Sequence, residues 1–460
     1  MHFSCVGRAT LVGALFNYIT KNGSGLMIEG IEGFSHCLSE HPLNNQSEKI
    51  KQHYFGMLQY ITDTFSNDCD RAKAMLLSYK MQILGNEMPI FYNEKTIHNS
   101  YKQVLKNRIK HFNLYTLRYH FLFDCLCINA YDDTEKIEKI ISFLDENFKS
   151  RHNIKLKKFV ACLLGSSGQD DFKEMEKQIS SWKLNKQHIE QKVHKIVFTA
   201  NMSAGKSTII NALVGNCVAE TAEEACTQKV SYVYNKSFDD GFIDIYSPEY
   251  IIRHIDDLSD GGICNDRNKV ALHFEKCFTS NKRICLIDTP GVNSAINKQH
   301  KRITQKFIVD GDYNVLVYVF NAEALGTDDE YIYLKYISEN VPKNKVIFAV
   351  NKLEIYRKNS DTVKDSISRI VDDLKKLGFA DPIVCPISAR FAFLQKLVTA
   401  NRNITEDELE ELEFFEKKFG RKDYDLSLFY KAESNVNGNN NLAKSGFYDF
   451  EKLIYGGIIS

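Results

Sequence analysis

The stretch Ala200-Asn-Met-Ser-Ala-Gly205-Lys206-Ser207-Thr208 constrains this chain more than any other feature. A short run of β-formers, Ile196-Val197-Phe198, precedes it, and a helix-forming run from Thr208 to Leu213 follows. A strand, a tight loop ending in G-K-S/T and a helix make the pattern in which backbone N–H groups cradle phosphates. The loop from Asn201 through Ala204 to Thr208 points several such groups at the anion, where the helix N-terminus adds its partial positive charge. Gly205 lets the backbone approach closely. Lys206 places a positive charge on the β- and γ-phosphates, and Ser207 offers a hydroxyl to Mg²⁺. Ala200 stands where the pattern has its first glycine; a methyl group there costs little if φ is negative.

Three later segments extend the reading. Ile284-Cys-Leu-Ile-Asp288-Thr-Pro-Gly291 is an apolar strand ending in a carboxylate and a turn. Asp288 is expected to hold Mg²⁺ through a water, and the Gly291 N–H to bond a γ-phosphate only while that phosphate is present, which makes a switch. Val346 to Val350 leads into Asn351-Lys352-Leu353-Glu354. The matching motif in GTPases is N-K-x-D: Asn351 meets the purine, Lys352 lies along the base, and the carboxylate accepts from guanine N1–H and the exocyclic amine. Glu354 keeps that charge one methylene further out. Pro386-Ile-Ser388-Ala389-Arg390 is the fourth segment, its backbone expected at the base through Ser388 and Ala389. A threonine between Ser207 and Asp288 must also close over Mg²⁺; Thr227 is the candidate and Thr221 the alternative.

From Lys195 onward, short β-branched and aromatic runs alternate with helical segments: Ile196–Phe198, Val230–Tyr234, Val270–Phe274, Ile284–Ile287, Val315–Phe320, Val346–Val350 and Ile383–Val384. This predicts an α/β P-loop domain over residues 191–460, with a mostly parallel sheet covered by helices on both faces and ligand loops along one edge. A helical and loop insertion is expected at about 400–444: a charged helix from Thr405 to Phe419, then a mobile Asn/Ser/Gly stretch from Ser434 to Asn441. A last helix is expected after Ser445-Gly446. Residues 1–190 read as an all-α domain of unknown role. Apolar residues recur at helical steps between Ser47 and Leu84, from Ile97 through Ile109 to Phe112, after the Asp132-Asp133-Thr134 cap, and after Gly168 through Trp182. None of these stretches carries a catalytic set.

Composition bounds the function. Among 460 residues, Lys+Arg and Asp+Glu both total 59, so the chain lacks the basic footprint of a nucleic-acid binder. The twelve cysteines form no C-x-x-C pair, which reads as buried thiols in a reduced cytoplasmic chain. The first twenty residues fit neither a signal peptide nor a transmembrane helix.

These residues resemble the dynamin superfamily, in particular its bacterial members. The loop Asn201 to Thr208 followed by Ile209-Ile-Asn211-Ala212-Leu213 is similar to theirs, as are Cys226-Thr227 and Asn321-Ala322-Glu323-Ala-Leu325-Gly-Thr327-Asp-Asp-Glu330. Translation GTPases of the Era type usually show P-N-V-G-K-S instead. The resemblance covers about Lys195 to Ser388 and the final helix. It implies a GTPase whose turnover rises when G domains pair, as homodimers or hetero-assemblies. It makes Ser203 a catalytic-loop residue, beside Met202 where dynamins have a water-positioning Gln. Dynamins continue into a helical stalk and a membrane-contacting tip; here the N-terminal helices would replace the stalk, with no hydrophobic paddle in view and any membrane contact peripheral.

Three expectations follow. The first is Mg²⁺-dependent GTP hydrolysis through G-domain dimers, with the helical half as an assembly or partner-binding module. The second is a slow GTP/GDP switch of Era-like behaviour that controls a protein partner of the helical half. The third is relaxed base choice at Glu354 that admits ATP. The expected machinery is phosphoryl transfer to water, with Lys206 and Mg²⁺, held by Ser207, Thr227 and Asp288, neutralising charge.

Overall fold

A computed structural model describes residues 34–85, 92–106, 108–110, 114–131, 133–165, 169–201, 203–219, 230–246, 251–254, 269–277, 281–292, 298–356, 362–430 and 440–456. The chain divides into two compact units, one including His36–Gln187 and Tyr246–Arg253, the other including Glu32–Ser35, His188–Ile245 and His254–Ser460.

The first unit is a helical assembly: α1 (Glu48–Phe65), α2 (Asp70–Leu84), α3 (Ile97–Lys106), α4 (Leu117–Asn129), α5 (Thr134–Asn147), α6 (Asn153–Leu163) and α7 (Glu176–Ile189). The amphipathic run from Ser47 is a helix pair, broken between Phe65 and Asp70. Asp133 caps α5 by accepting from the Lys136 N–H at 2.9 Å. The second periodic stretch stops earlier than its sequence suggests. α3 ends at Lys106, and Ile109 lies instead in β1 (Arg108–Lys110), which pairs antiparallel with β2 (Leu114–Thr116). Phe112, Asp132 and Gly168 fall outside the described residues. The last stretch begins as a 3₁₀ segment, Gln169–Met175, before α7. α4 has no polar face because every one of its residues is buried, so it shows no helical period to a reader of sequence. Its Asp124 accepts hydrogen bonds from the Tyr54 hydroxyl at 2.7 Å and from His41 Nε2 at 3.0 Å. His41 Nδ1 accepts from the Leu43 N–H, which leaves the ring proton on Nε2.

The second unit is built on strands β3 (His194–Ala200), β4 (Ser231–Asn235), β5 (Ile243–Tyr246), β7 (Lys269–Leu272), β8 (Ile284–Asp288), β9 (Val315–Asn321), β10 (Val346–Asn351) and β11 (Ile383–Pro386). A further short strand, β6, covers Ile251–His254. The strands lie side by side in the order β11-β10-β9-β3-β8-β4-β7-β5. β3 pairs parallel with both β8 and β9, β10 pairs parallel with β9 and β11, and β4 meets β8 antiparallel. Its helices are α8 (Lys206–Val214), α9 (Lys298–Asp310), α10 (Asp328–Asn340), α11 (Val363–Lys376), α12 (Ala389–Thr399), α13 (Glu406–Phe419), α14 (Asn440–Lys444) and α15 (Phe447–Gly456). The central strands are buried almost throughout, as a sheet covered on both faces requires. In the strand order, β8 and β4 follow β3 on one side and β9, β10 and β11 on the other. The strand order therefore reverses beside β3, the topological switch point where ligands bind in sheets of this kind.

Two buried ion clusters stiffen this unit. Lys236 Nζ lies 2.8 Å from Asp240 and 2.8 Å from Asp244, all three side chains fully buried. Lys396 on α12 meets Glu451 on α15 at 2.8 Å and also reaches the Leu213 carbonyl. α13 opens with a capping box between Thr405 and Glu408. The expected mobile stretch Ser434–Asn441 lies outside the described residues except for its end, where Asn440 and Asn441 begin α14.

Candidate functional site

Four of the segments singled out in the sequence end at one edge of the sheet. Ala200 closes β3, Asp288 closes β8, Asn351 closes β10, and Ser388 follows β11. β8 and β10 each run on to include the polar residue that their motif supplies, Asp288 and Asn351.

Ala200 sits at the end of an extended strand, outside the positive-φ set, so its methyl group is accommodated without strain. Ser203 and Gly205 both have left-handed backbones, with φ of +56° and +83°. Gly205 is the residue before α8, and a Cβ there would collide with the Asn351 amide. The glycine is therefore dictated by a neighbouring side chain as well as by phosphate approach. Asn201 and Thr208 flank this turn, on the strand side and in the first turn of α8. Burial pulls the Lys206 ammonium below its ordinary value, and the nearby Asp288 carboxylate works the other way.

Asp288 is almost fully buried, and the Ser207 hydroxyl donates to its Oδ2 at 3.4 Å. A hydroxyl and a carboxylate this close, in the first turn of α8, fit a small oxygen-seeking cation that keeps most of its waters. After Asp288 the chain is held on the phosphate loop. The Thr289 hydroxyl donates to the Phe198 carbonyl at 2.8 Å, and the Val292 N–H donates to the Ala200 carbonyl at 3.3 Å. Thr304 on α9 donates to the Pro290 carbonyl. Gly291 thus lies between two anchored residues beside the start of the loop. Thr227, Thr221 and Met202 lie outside the described residues.

Asn351, expected at the purine, also makes two hydrogen bonds inside the protein. Nδ2 donates to the Ala204 carbonyl at 3.1 Å, and Oδ1 accepts from the Ala389 N–H at 3.0 Å. It joins the phosphate loop to the base loop directly. Lys352 has φ +67°, and its ammonium meets Glu323 at 2.5 Å. Burial pushes the Glu354 carboxyl above its ordinary value, its own backbone and the nearby Ser388 hydroxyl acting against the rise. Neither Glu354 Oε2 nor Ser388 Oγ, both buried, closes a hydrogen bond of normal geometry among the described residues. A buried acceptor and a buried hydroxyl side by side are an incomplete polar site of the kind a base edge would complete.

Several residues to which the sequence assigns no individual role shape this site. Asn321, at the end of β9, sits in register beside Asn351 and donates through Nδ2 to the Ser203 carbonyl at 3.3 Å. Lys418 on α13 donates to the carbonyls of Glu354 and Tyr356, and Arg390 binds Glu408 and Glu411 on the same helix. The inserted helix therefore buttresses the base loop. Arg390 occupies the third position of S-A-R as a structural tie. Only the strand-end position of Asn321 and the acidic spacing of α13 signal these roles in the sequence.

Among the described residues, no helix is long and apolar enough to cross a membrane, and the cysteines are free.

Residues 196–353 match the model of the Dynamin family. The probable transmembrane GTPase FZO-like, chloroplastic, of Arabidopsis thaliana is 29% identical over 217 residues, covering 47% of this chain and 21% of that protein. A protein encoded in the xynA 3′ region of Caldicellulosiruptor sp. (strain Rt8B.4) is 25% identical over 271 residues, covering 54% of this chain and 59% of that one. The chain thus spans less than two thirds of the length of either relative. The crystal structure of Toc33 from Arabidopsis thaliana with Mg²⁺ and GMPPNP superposes with a TM-score of 0.30 at 16% identity, over 45% of this chain and 74% of that one; a likeness so loose carries no argument. With the strand order, the phosphate loop and the N-K-L-E segment in place, the family match identifies residues 196–353 as a dynamin-superfamily G domain.

Proposed function

We propose that this chain binds GTP and GDP with Mg²⁺ and hydrolyses GTP, and that pairing of G domains raises turnover. The observation that carries the reading is the double engagement of Asn351, which ties the phosphate loop to the base loop. Such preorganisation is what phosphoryl transfer requires, because positioning and charge neutralisation supply most of the catalysis.

In this mechanism Lys206 sets its charge against the β- and γ-phosphates, next to Asp288. Ser207 and Asp288, with Thr227 from the preceding segment, would hold Mg²⁺, which when bound neutralises charge across the β- and γ-phosphates. Ser203 presents the catalytic loop. The Gly291 N–H senses the γ-phosphate from its position between Thr289 and Val292. Backbone groups of Asn201, Ala204, Gly205 and Thr208 surround the phosphates. Asn351, Lys352, Glu354, Ser388 and Ala389 surround the base, and Glu354 selects guanine. The helical unit serves assembly or a protein partner, in the cytoplasm or at a membrane surface.

A second reading, a slow switge-like GTPase awaiting an activator, is favoured by Met202, which cannot orient a water as a Gln would. GTP turnover per molecule against protein concentration, with Mg²⁺ and a Lys206→Ala control, decides between them. A rise with concentration supports activation by G-domain pairing; a flat, slow rate supports the switch. Full turnover in Lys206→Ala refutes the site assignment.

A further inference from the structure

Three non-glycine residues have positive φ among the described residues: Ser203, Lys352 and Asn401. Two of them lie in the nucleotide site, one in the phosphate loop and one in the base motif. A left-handed backbone is unfavourable for a residue with a Cβ and persists where the surroundings hold it. Both are contacted from the same short stretch at the end of β9, Ser203 at its backbone carbonyl and Lys352 at its ammonium. Asn321 Nδ2 donates to the Ser203 carbonyl at 3.3 Å, and Glu323 meets the Lys352 ammonium at 2.5 Å.

The two grips are joined. Asn321 Oδ1 accepts from the Glu323 N–H at 3.0 Å, so one amide side chain links the Ser203 carbonyl to the residue that holds Lys352. The stretch is also tied to β10, since the Ala322 N–H donates to the Asn351 carbonyl at 3.1 Å. Its far end is closed by the Glu330 carboxylate on the Gly326 N–H at 2.9 Å. Asn321 and Asn351 are register partners on adjacent parallel strands. Their side chains take successive carbonyls of the phosphate loop, Ser203 and Ala204.

We infer that Asn321 and Glu323 form a brace that positions the nucleotide site: Asn321 holds Ser203 in its left-handed conformation, and Glu323 orients Lys352 for the base. The inference rests on the nucleotide-binding reading above. The Glu323–Lys352 pair is partly exposed, and pairs of this kind contribute little to folding stability. The role of the brace is thus to keep the loop in one conformation, and loss of that conformation weakens binding by the fall in the competent fraction.

The test is calorimetric titration of the full chain with GDP and Mg²⁺, with inorganic pyrophosphate as competitor. Asn321→Ala is expected to weaken GDP and pyrophosphate alike by about tenfold as the competent fraction falls. Its nucleotide-free melting temperature is expected to match that of the natural chain. Glu323→Ala is expected to weaken GDP by about threefold and leave pyrophosphate competition unchanged. Ser203→Gly added to Asn321→Ala should restore GDP affinity, because glycine adopts the left-handed conformation without help. Unchanged GDP affinity in Asn321→Ala, a fall in its nucleotide-free melting temperature, or failure of the glycine to rescue it would each overturn the brace. Failure of the natural chain to bind GDP any better than Lys206→Ala would instead overturn the nucleotide-binding reading.

Discussion

Gly205→Ala is the substitution that most directly probes how this site is assembled. Gly205 has φ +83°, and a β-carbon there would overlap the Asn351 amide nitrogen. Forcing alanine into the left-handed region costs ~1–2 kcal/mol. Asn351 must also swing away, releasing two buried hydrogen bonds, to the Ala204 carbonyl and from the Ala389 N–H. Groups stranded in this way cost ~1–3 kcal/mol each, so the whole effect is about 3–8 kcal/mol. It is divided between folding stability and nucleotide affinity. Urea unfolding without nucleotide reads the first part and titration with GDP reads the second; affinity should fall by about a hundredfold or more. The cycle with Asn351→Ala isolates the clash. With the amide gone, Gly205→Ala should cost only the left-handed penalty of ~1–2 kcal/mol. Equal cost in both backgrounds would refute the claim that Asn351 dictates the glycine.

Three further substitutions test the energetics around the site. Burial pushes the Glu330 carboxyl up to about 7 from its usual 4.5, the Gly326 N–H acting against the rise. The folded chain then holds a proton that the unfolded chain has released between those two values, so stability falls as pH rises through that window and the loss is complete above it. Glu330→Gln should remove the slope and raise stability at pH 8 by ~1–3 kcal/mol, read from urea midpoints at pH 5 and 8; an unchanged slope would count against it. Glu354→Gln should cost GDP about 10–100-fold in affinity while ADP binding barely moves, and retained discrimination in a competition titration would show that the carboxylate does not read the base. Lys396→Met leaves the fully buried Glu451 carboxylate without its cation and should destabilise the chain by ~3–5 kcal/mol in urea unfolding; a loss under ~1 kcal/mol would mean that the Cys277 N–H and thiol, which also donate to Glu451, suffice.

The legible parts of the fold were those whose signal is local. The seven apolar runs after Lys195 each correspond to a strand, and the caps at Asp133 and Thr405 sit where their side chains promise. Two kinds of element escaped. α4 is buried on all sides and so has no periodicity, and α6 is only eleven residues long with no side-chain cap to mark its start. β5 and β6 follow the Asp239-Asp240-Gly241 turn and are only four residues long each. At the other extreme, Ile109 continues a helical period that the chain abandons for a hairpin. Period alone does not mark where a helix ends when no cap or glycine stops it.

The site divides along the same line, and the division explains its design. Residues proposed to touch a phosphate or a cation answer to chemistry shared by every ligand of that class, so Lys206, Ser207 and Asp288 are proposed from type and spacing alone. Residues that hold the loops answer to neighbours far away in sequence. Asn351 grips Ala204 from 147 positions away, Asn321 grips Ser203 from 118, and Lys418 holds Glu354 from 64. No local pattern encodes such pairings, though they tie the phosphate and base loops to distant parts of the chain. The parallel sheet makes them possible. Strands in register end together, so a polar residue placed last on each strand arrives beside the same loop. An asparagine there can offer a donor to one carbonyl and an acceptor to another N–H, as Asn321 and Asn351 both do. The position after the last apolar residue of a buried parallel strand is therefore where a bracing side chain should be sought, even when it belongs to no motif.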